Sequence, residues 1–131
     1  MFRGRQMDPL ARQLALEVAA CRLALGTAVL FATRPAVKAL GFGEPGATGE
    51  ALARFGGGRD IALGVATFAT RDDHQALRTT ILVSSACDLA DAVALGISAR
   101  HPETRRAGIG GVLAGSAAAI AGFWAWRRLG D

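Results

Sequence analysis

Tyrosine and asparagine are absent from the 131-residue sequence, and Lys38 is the only lysine among its 15 basic residues. Aromatic residues make up only 6% of the chain, and both tryptophans, Trp124 and Trp126, lie near its end. A nucleic-acid-binding surface needs clustered basic residues interleaved with aromatic side chains that stack on bases. Here the arginines are scattered between apolar runs. Despite a net charge of +4, nucleic acid is therefore not expected as a partner.

The apolar content of the chain is high for a soluble protein. Hydrophobic residues account for 51% of the sequence and the mean hydropathy is +0.30, against about 45–50% apolar residues in ordinary domains. Arginines at the ends of apolar runs are typical of helices anchored at the lipid–water interface. We expect one integral membrane domain over residues 1–131, with the lipid bilayer as a partner and the bacterial inner membrane as its location.

The clearest candidate span covers residues 107–126, which carry no charge. At 1.5 Å per helical residue this segment extends ~30 Å, the thickness of a bilayer hydrocarbon core. The alternative is a buried central helix of a soluble protein, but a chain this short rarely surrounds one completely. Gly111 and Gly115 are spaced to let two helices pack closely. This spacing favours tight helix packing, and a homo-oligomer or a membrane protein partner is left open.

Three further segments, 14–33, 51–70 and 76–98, have spanning length. The first ends at Arg34-Pro35, because proline disfavours helix at the residue before it. A cleaved signal peptide is the alternative for this segment, but no small-x-small cleavage site follows it. The second segment is predicted to continue as a helix through its three glycines, because a start at Arg59 would leave it too short to cross.

The sequence thus predicts an all-α fold, a bundle of four transmembrane helices with short loops. Residues 34–53 are interpreted as a linker. Lysine and arginine are almost equally divided between the two sides, so they do not determine orientation, and we expect cytoplasmic termini.

The loop motifs give no catalytic or metal site. The stretch "GFGEPG", residues 41–46, matches a dinucleotide-binding pattern, but no strand precedes it and a plain turn is predicted. Asp72, Asp73 and His74 are adjacent and are interpreted as a solvated loop. Cys21 and Cys87 lie in apolar stretches and are predicted to be buried free thiols, with a disulfide left open. We expect no cofactor and no metal, and we identify no catalytic residue.

Charged residues inside the first three spans need an explanation. These candidate members of an intramembrane polar core are Glu17, Arg22, Arg59, Asp60, Asp88 and Asp91. An Arg or Asp at the bilayer centre costs about 2.5–3.5 kcal/mol. Because four of the six are acidic, simple pairing cannot neutralise the group. Either some carboxylates reach the interface or one is held protonated.

Helical spacing suggests how these charges pair. Asp88 and Asp91 share a helix face, and we predict that Arg59 bridges both, because a guanidinium can bind two carboxylates at once. Asp60 is predicted to meet Arg22. The network is interpreted either as a structural lock or as a polar cavity that handles a proton, an ion or a small lipid-soluble substrate.

The motifs "GGRDIALG" and "DLADA", with Gly57, Arg59 and Asp60 in the first and the aspartate pair in the second, resemble a family of small four-helix membrane proteins called domain of unknown function 4267. The chain is more distantly similar to DoxX-like proteins. The resemblance covers residues 14–126 and implies a membrane-embedded bundle, but no reaction. Small multidrug exporters are similar in size and use a glutamate in their first helix, where Glu17 lies, but they lack such charged second and third spans.

The leading hypothesis is a membrane protein without enzymatic activity of its own, whose polar core is structural or supports a partner protein. One alternative is a proton-coupled carrier in which Asp88 or Asp91 exchanges a proton. Another is a membrane-embedded enzyme that acts on a hydrophobic substrate, with Arg59 as its anion binder and an aspartate as its general acid or base.

Overall fold

The computed structural model describes residues 7–130, and these form α-helices joined by short loops, with no β-strand among them. The predicted all-α class is confirmed. The five helices of this part of the chain are α1 (Pro9–Phe31), α2 (Thr33–Ala39), α3 (Ala47–Ala69), α4 (His74–Ser98) and α5 (Arg105–Arg128).

Capping aspartates set the beginnings of α1 and α4. The Asp8 carboxylate accepts hydrogen bonds from the backbone N–H groups of Leu10 and Ala11, at 2.9 and 3.1 Å, and Pro9 occupies the first turn. Asp73 accepts from the N–H of Ala76 at 2.9 Å. An aspartate cap followed by proline is a strong helix start. The first helix therefore begins five residues before the predicted position 14.

The predicted linker over residues 34–53 is largely helical, which corrects the sequence interpretation. The helical conformation is interrupted at Ala32, which has φ −120° and ψ 51°, and α2 begins at the next residue. Pro35 is accommodated because it lies in the first turn of α2, where an N–H donor is not needed. Residues 40–46 separate α2 from α3. Gly41 adopts φ 91°, a conformation that favours glycine.

The four long helices alternate in direction. α1 lies antiparallel to α3, with Gly26 in the second half of α1 against Gly57 near the middle of α3, and with Arg12 bonded to Asp72 at one end. α4 lies antiparallel to α5 along most of its length. The two pairs also meet where Ala11 of α1, Leu77 of α4 and Ala125 of α5 form a buried cluster. The start of α1 and the end of α5 therefore lie at the same end of the bundle.

Small residues make the interior, and large apolar residues face outward. Alanine dominates the buried apolar set, whereas many leucine, isoleucine, valine and phenylalanine side chains are exposed. Phe31, Phe55, Leu113 and Ile120 are each more than two-thirds exposed. An apolar surface on this scale is typical of a protein that contacts lipid.

Three helices, α1, α4 and α5, are long and apolar enough to cross a membrane by length and composition. α3 is not among them, and it carries four charged residues, Glu50, Arg54, Arg59 and Asp60. The membrane class is thus supported by three candidate spans.

The glycines of α3 and α5 mark the closest helix contacts. A Cβ on Gly57 would lie 2.8 Å from the Gly26 carbonyl oxygen, whereas one on Gly56 or Gly58 would meet no described atom within 4 Å. In α5, Gly111 packs on the Leu95 side chain, and a Cβ on Gly115 would lie 3.0 Å from the Asp88 carbonyl oxygen. Both α5 glycines thus serve contact with α4 of the same chain.

Candidate functional site

Five charged side chains from three helices join in one network near the middle of the bundle. This charge network consists of Arg22 from α1, Arg59 and Asp60 from α3, and Asp88 and Asp91 from α4. Each helix supplies its residues from its central turns. The network therefore ties together helices that belong to both antiparallel pairs.

Acidic and basic groups alternate along the charge network. Asp60 Oδ1 accepts from Arg22 Nη1 at 3.0 Å and from Arg59 Nη2 at 3.2 Å. On one side, Arg22 forms an ion pair with Asp88. On the other, Arg59 donates to both carboxylate oxygens of Asp91, from Nη1 at 2.9 Å and from Nη2 at 2.5 Å. Such a bidentate pair fixes the guanidinium plane as well as its charge.

The predicted contact between Asp60 and Arg22 is present, but the predicted bridge from Arg59 to both α4 aspartates is wrong. Arg59 binds Asp91 and its own neighbour Asp60, and Asp88 pairs with Arg22 instead. The reason lies in helix positions. Asp88 lies toward α1 and its arginine, whereas Asp91, almost one turn further along α4, lies toward α3.

The network runs from a buried end to an open one. The side chains of Arg22 and Asp88 are 9% and 10% exposed, that of Asp60 is 18% exposed, and those of Arg59 and Asp91 are 34% and 38% exposed. Asp91 is therefore the most exposed carboxylate of the network.

Three buried polar atoms beside the network have no hydrogen-bond partner among the described residues: Arg22 Nε, Arg59 Nε and Ser84 Oγ. Arg22 and Ser84 line a small, partly open cavity of about 20 Å³. A water needs about 10–15 Å³ of such space and two or more polar partners. This cavity has the size and the polar groups for one bound water.

With all three aspartates ionised, the charge network carries one excess negative charge, because three aspartates oppose two arginines. Each arginine contacts two carboxylates, so neither has a charge left to neutralise a third group. A single proton or one monovalent cation would bring the group to neutrality.

Glu17, a predicted member of the polar core, lies outside the network. Its carboxylate accepts a hydrogen bond from Gln13 Nε2 at 2.8 Å on the exposed surface of α1. Glu17 precedes Arg22 by five positions, which places the two about 140° apart around the helix. The two side chains therefore cannot share one face.

An apolar cleft of about 820 Å³ opens beside the exposed end of the network. α2 and the 40–46 loop form one wall, and α1, α3 and α4 form the others. Its charged lining residues are Glu44, Arg59, Asp60 and Asp91. Its large apolar lining residues are Leu25, Val29, Val37, Leu40, Phe42, Leu52 and Leu95.

A second cleft, of about 550 Å³, reaches Arg22 and Asp88 from the side of α5. Both clefts include Asp60 and Asp91, so the network lies between them. Neither cleft follows from the sequence, because their shared wall is the end of α2 and the loop after it. That segment carries no periodic signal long enough to indicate a helix that packs.

The loop candidates do not form a second site. Asp72 pairs with Arg12 at 2.8 Å, Asp73 caps α4, and the His74 ring contacts the carbonyl oxygen of Leu129. No group of three potential metal ligands is present among residues 7–130. Cys21 and Cys87 are free thiols, but Cys21 is exposed and Cys87 is half-buried, so neither is buried as predicted.

Comparison with known proteins gives one match. The family described as "Domain of unknown function (DUF4267)" matches residues 19–127, which include every member of the charge network. No curated protein and no solved structure matches the chain. The more distant likeness to DoxX-like proteins is not confirmed by these comparisons.

Proposed function

The chain belongs to the DUF4267 family, and because that description states no activity, we propose a function from the geometry. The protein is an integral membrane domain with four spans, α1, α3, α4 and α5. Its charge network is a structural lock that holds α3 between α1 and α4 and fixes one arrangement of the bundle, to which a membrane protein partner can bind.

The observation that supports this proposal is that α3 has the same length as α1 and lies beside it from end to end. Both helices have 23 residues, which corresponds to ~34 Å. Arg54 donates to the Thr33 hydroxyl at 3.1 Å near one end of the pair, and Arg12 donates to Asp72 at 2.8 Å at the other. A helix that lies along the whole length of a spanning helix occupies the same depths. If α1 crosses the bilayer, α3 crosses it too.

The polar groups of α3 fit this placement. Arg59 and Asp60, near its middle, are paired within the charge network, which lowers the cost of placing them at membrane depth. Glu50 lies in its first turn, where Arg34 and Arg54 bind it. The exposed residues between and beyond these groups include Leu52, Phe55 and Val65, which suit contact with lipid.

The structural role proposed for the charge network follows from the sparse contact between α3 and α4. The two helices share far fewer contacts than α3 shares with α1, and the Arg59–Asp91 pair lies between them. Buried ion pairs contribute little net stability, but they can specify one arrangement over others. Removal of the network would therefore alter the position of α4 relative to α3 more than it would alter helix content.

Cysteine labelling tests whether α3 crosses. Single cysteines replace Gly43, Asp72 or Glu103 in a background in which Cys21 and Cys87 are alanine, and a membrane-impermeant maleimide is added to sealed vesicles. With four spans, positions 43 and 103 label from one side and position 72 from the other. If 43 and 72 label from the same side and 103 from the opposite one, α3 does not cross and the proposal fails.

A proton-coupled carrier is the second candidate, favoured by the cleft beside the exposed end of the network. Asp91, the most exposed of its carboxylates, is the group that would exchange a proton for a ligand. The enzyme alternative is less favoured, because both Nη atoms of Arg59 are already bound to carboxylates. In proteoliposomes with an acidic interior, a carrier accumulates ethidium faster than protein-free liposomes do, and Asp91→Asn abolishes the difference.

A further inference from the structure

We propose that the larger cleft binds an amphiphilic organic monocation, with the positive headgroup beside Asp60 and Asp91 and the apolar body against the walls formed by α1, α2 and α3. The inference rests on the proposed placement of the bundle in lipid. It adds a ligand class to the site, which the structural role does not require.

The charged groups that line the cleft favour a positively charged ligand. The charged lining groups are three carboxylates, Glu44, Asp60 and Asp91, and one guanidinium, Arg59. Lys38 neutralises Glu44 from outside the cleft, so with its three aspartates ionised the network carries the one unbalanced negative charge. In a low-dielectric cleft an unbalanced charge interacts strongly with a counter-ion. One positive charge on a ligand would neutralise the whole group.

In the described part of the chain, the charged groups of the cleft offer an anionic ligand only one unpaired donor, the buried Nε of Arg59. Arg59 Nη1 and Nη2 both donate to carboxylates, which leaves only its Nε without a partner among the described residues. An anion would have to displace Asp91 from a bidentate pair and add a second excess negative charge. The geometry therefore opposes a fatty acid or a phosphate in this position.

The volume and the apolar lining of the cleft favour a ligand with an apolar body. A volume of about 820 Å³ falls within the ~300–1,000 Å³ usual for small-molecule sites. Leucine and valine side chains from α1, α2 and α3 line the cleft, together with Phe42 from the loop. The polar groups gather at the network, so an amphiphile would bind with its charge at one end.

Two hydrophobic ions of the same shape and opposite charge test the proposal. The full chain is reconstituted in phosphatidylcholine nanodiscs, and binding of tetraphenylphosphonium and tetraphenylborate is measured by equilibrium dialysis against empty discs. We expect saturable binding of one tetraphenylphosphonium per chain and only non-saturable partitioning of tetraphenylborate. Saturable binding of the anion, or of neither ion, overturns the proposal.

Two glycines provide a matched pair of variants. Gly56 lines the cleft and Gly58 does not, and both have open space where a side chain would project. Gly56→Leu should weaken tetraphenylphosphonium binding at least tenfold, whereas Gly58→Leu should leave it within twofold. Equal effects of the two variants would show that the ion binds elsewhere.

Asp91→Asn tests the charge directly and should also weaken binding at least tenfold. If this variant fails to fold, the glycine pair still decides the question. Vesicle labelling at positions 43, 72 and 103 measures the four-span arrangement independently. Four spans without cation binding would therefore reject this inference and leave the structural proposal standing.

Discussion

Arg22 of α1 donates to Asp60 of α3 at 3.0 Å, and this bond joins the buried half of the charge network to its open half. Asp60 also binds Arg59 at 3.2 Å, so it is the one carboxylate of the network that contacts both arginines. Its removal would leave two guanidinium groups with one carboxylate each and would separate α1 from α3 electrostatically.

Single Asp→Asn substitutions in the network should therefore lower the free energy of unfolding by different amounts. Asp60→Asn should lower the free energy of unfolding most, by about 1.5–3 kcal/mol, because it removes hydrogen bonds to both arginines although each arginine keeps one other carboxylate. Asp91→Asn should cost less, because it breaks one ion pair rather than two and leaves Arg59 paired with Asp60. Reversible unfolding in mixed micelles measures both. A larger loss for Asp91→Asn would show that the network does not depend on Asp60.

The three consecutive glycines of α3 should respond unequally to alanine. A Cβ on Gly57 would lie 2.8 Å from the Gly26 carbonyl oxygen and 3.1 Å from the Leu30 nitrogen, both backbone atoms that cannot move alone. Gly57→Ala should cost about 1–3 kcal/mol through overpacking. Gly58→Ala, which meets open space, should stabilise by about 0.5–1 kcal/mol. Thermal unfolding compares the two, and equal shifts would contradict the close approach of α1 and α3.

The sequence indicates which charged residues form the network, but not which aspartate pairs with which arginine. The requirement that ionised groups within apolar segments find partners leads to the members of the network. Glu17 is wrongly included with them, although its five-residue separation from Arg22 already places it on a different face of α1. The division of Asp88 and Asp91 between the two arginines could not be read from spacing, since a pair at i, i+3 can face two different neighbours.

Helix boundaries are partly readable. The Asp8-Pro9 pair is a helix start signal, so the beginning of α1 could have been predicted. α2 could not, because it has seven residues and contains Pro35. Its position over the cleft depends on tertiary contacts such as the Arg34–Glu50 ion pair.

Alanine substitutions at two α5 glycines test whether this helix packs closely against α4 of the same chain. A Cβ on Gly108 would lie 2.7 Å from the backbone of Ala99, whereas one on Gly110 would meet no described atom within 4 Å. Gly108→Ala should therefore destabilise the bundle by about 1–3 kcal/mol, and Gly110→Ala should not. Unfolding at several protein-to-detergent ratios checks this. A loss that depends on that ratio would instead place these glycines at a contact between chains.

The loop after α2 carries a pH-dependent contact. Lys38 donates to the Glu44 carboxylate at 2.5 Å, and this bond lowers the pKa of Glu44 below its ordinary value. Because the folded-state pKa is lowered, the pair stabilises the loop above the pKa of the unfolded chain, and this stability is lost as pH falls through the folded-state pKa. Carbon NMR titration of Glu44 should show its pKa rise toward the ordinary value in Lys38→Gln and stay low in Lys38→Arg. An unchanged pKa in Lys38→Gln would mean that the ion pair does not form.

The central claim is tested most directly by the depth of the middle of α3 in the bilayer. A spin label at Gly58, which has open space beside the charge network, is compared with one at Leu113 on the apolar α5. We predict that both labels relax readily with oxygen and only weakly with a water-soluble nickel complex, as expected for the hydrocarbon core. If the Gly58 label instead relaxes with the nickel complex as strongly as a label at Asp72 does, α3 lies in water and the proposed four-span arrangement is wrong.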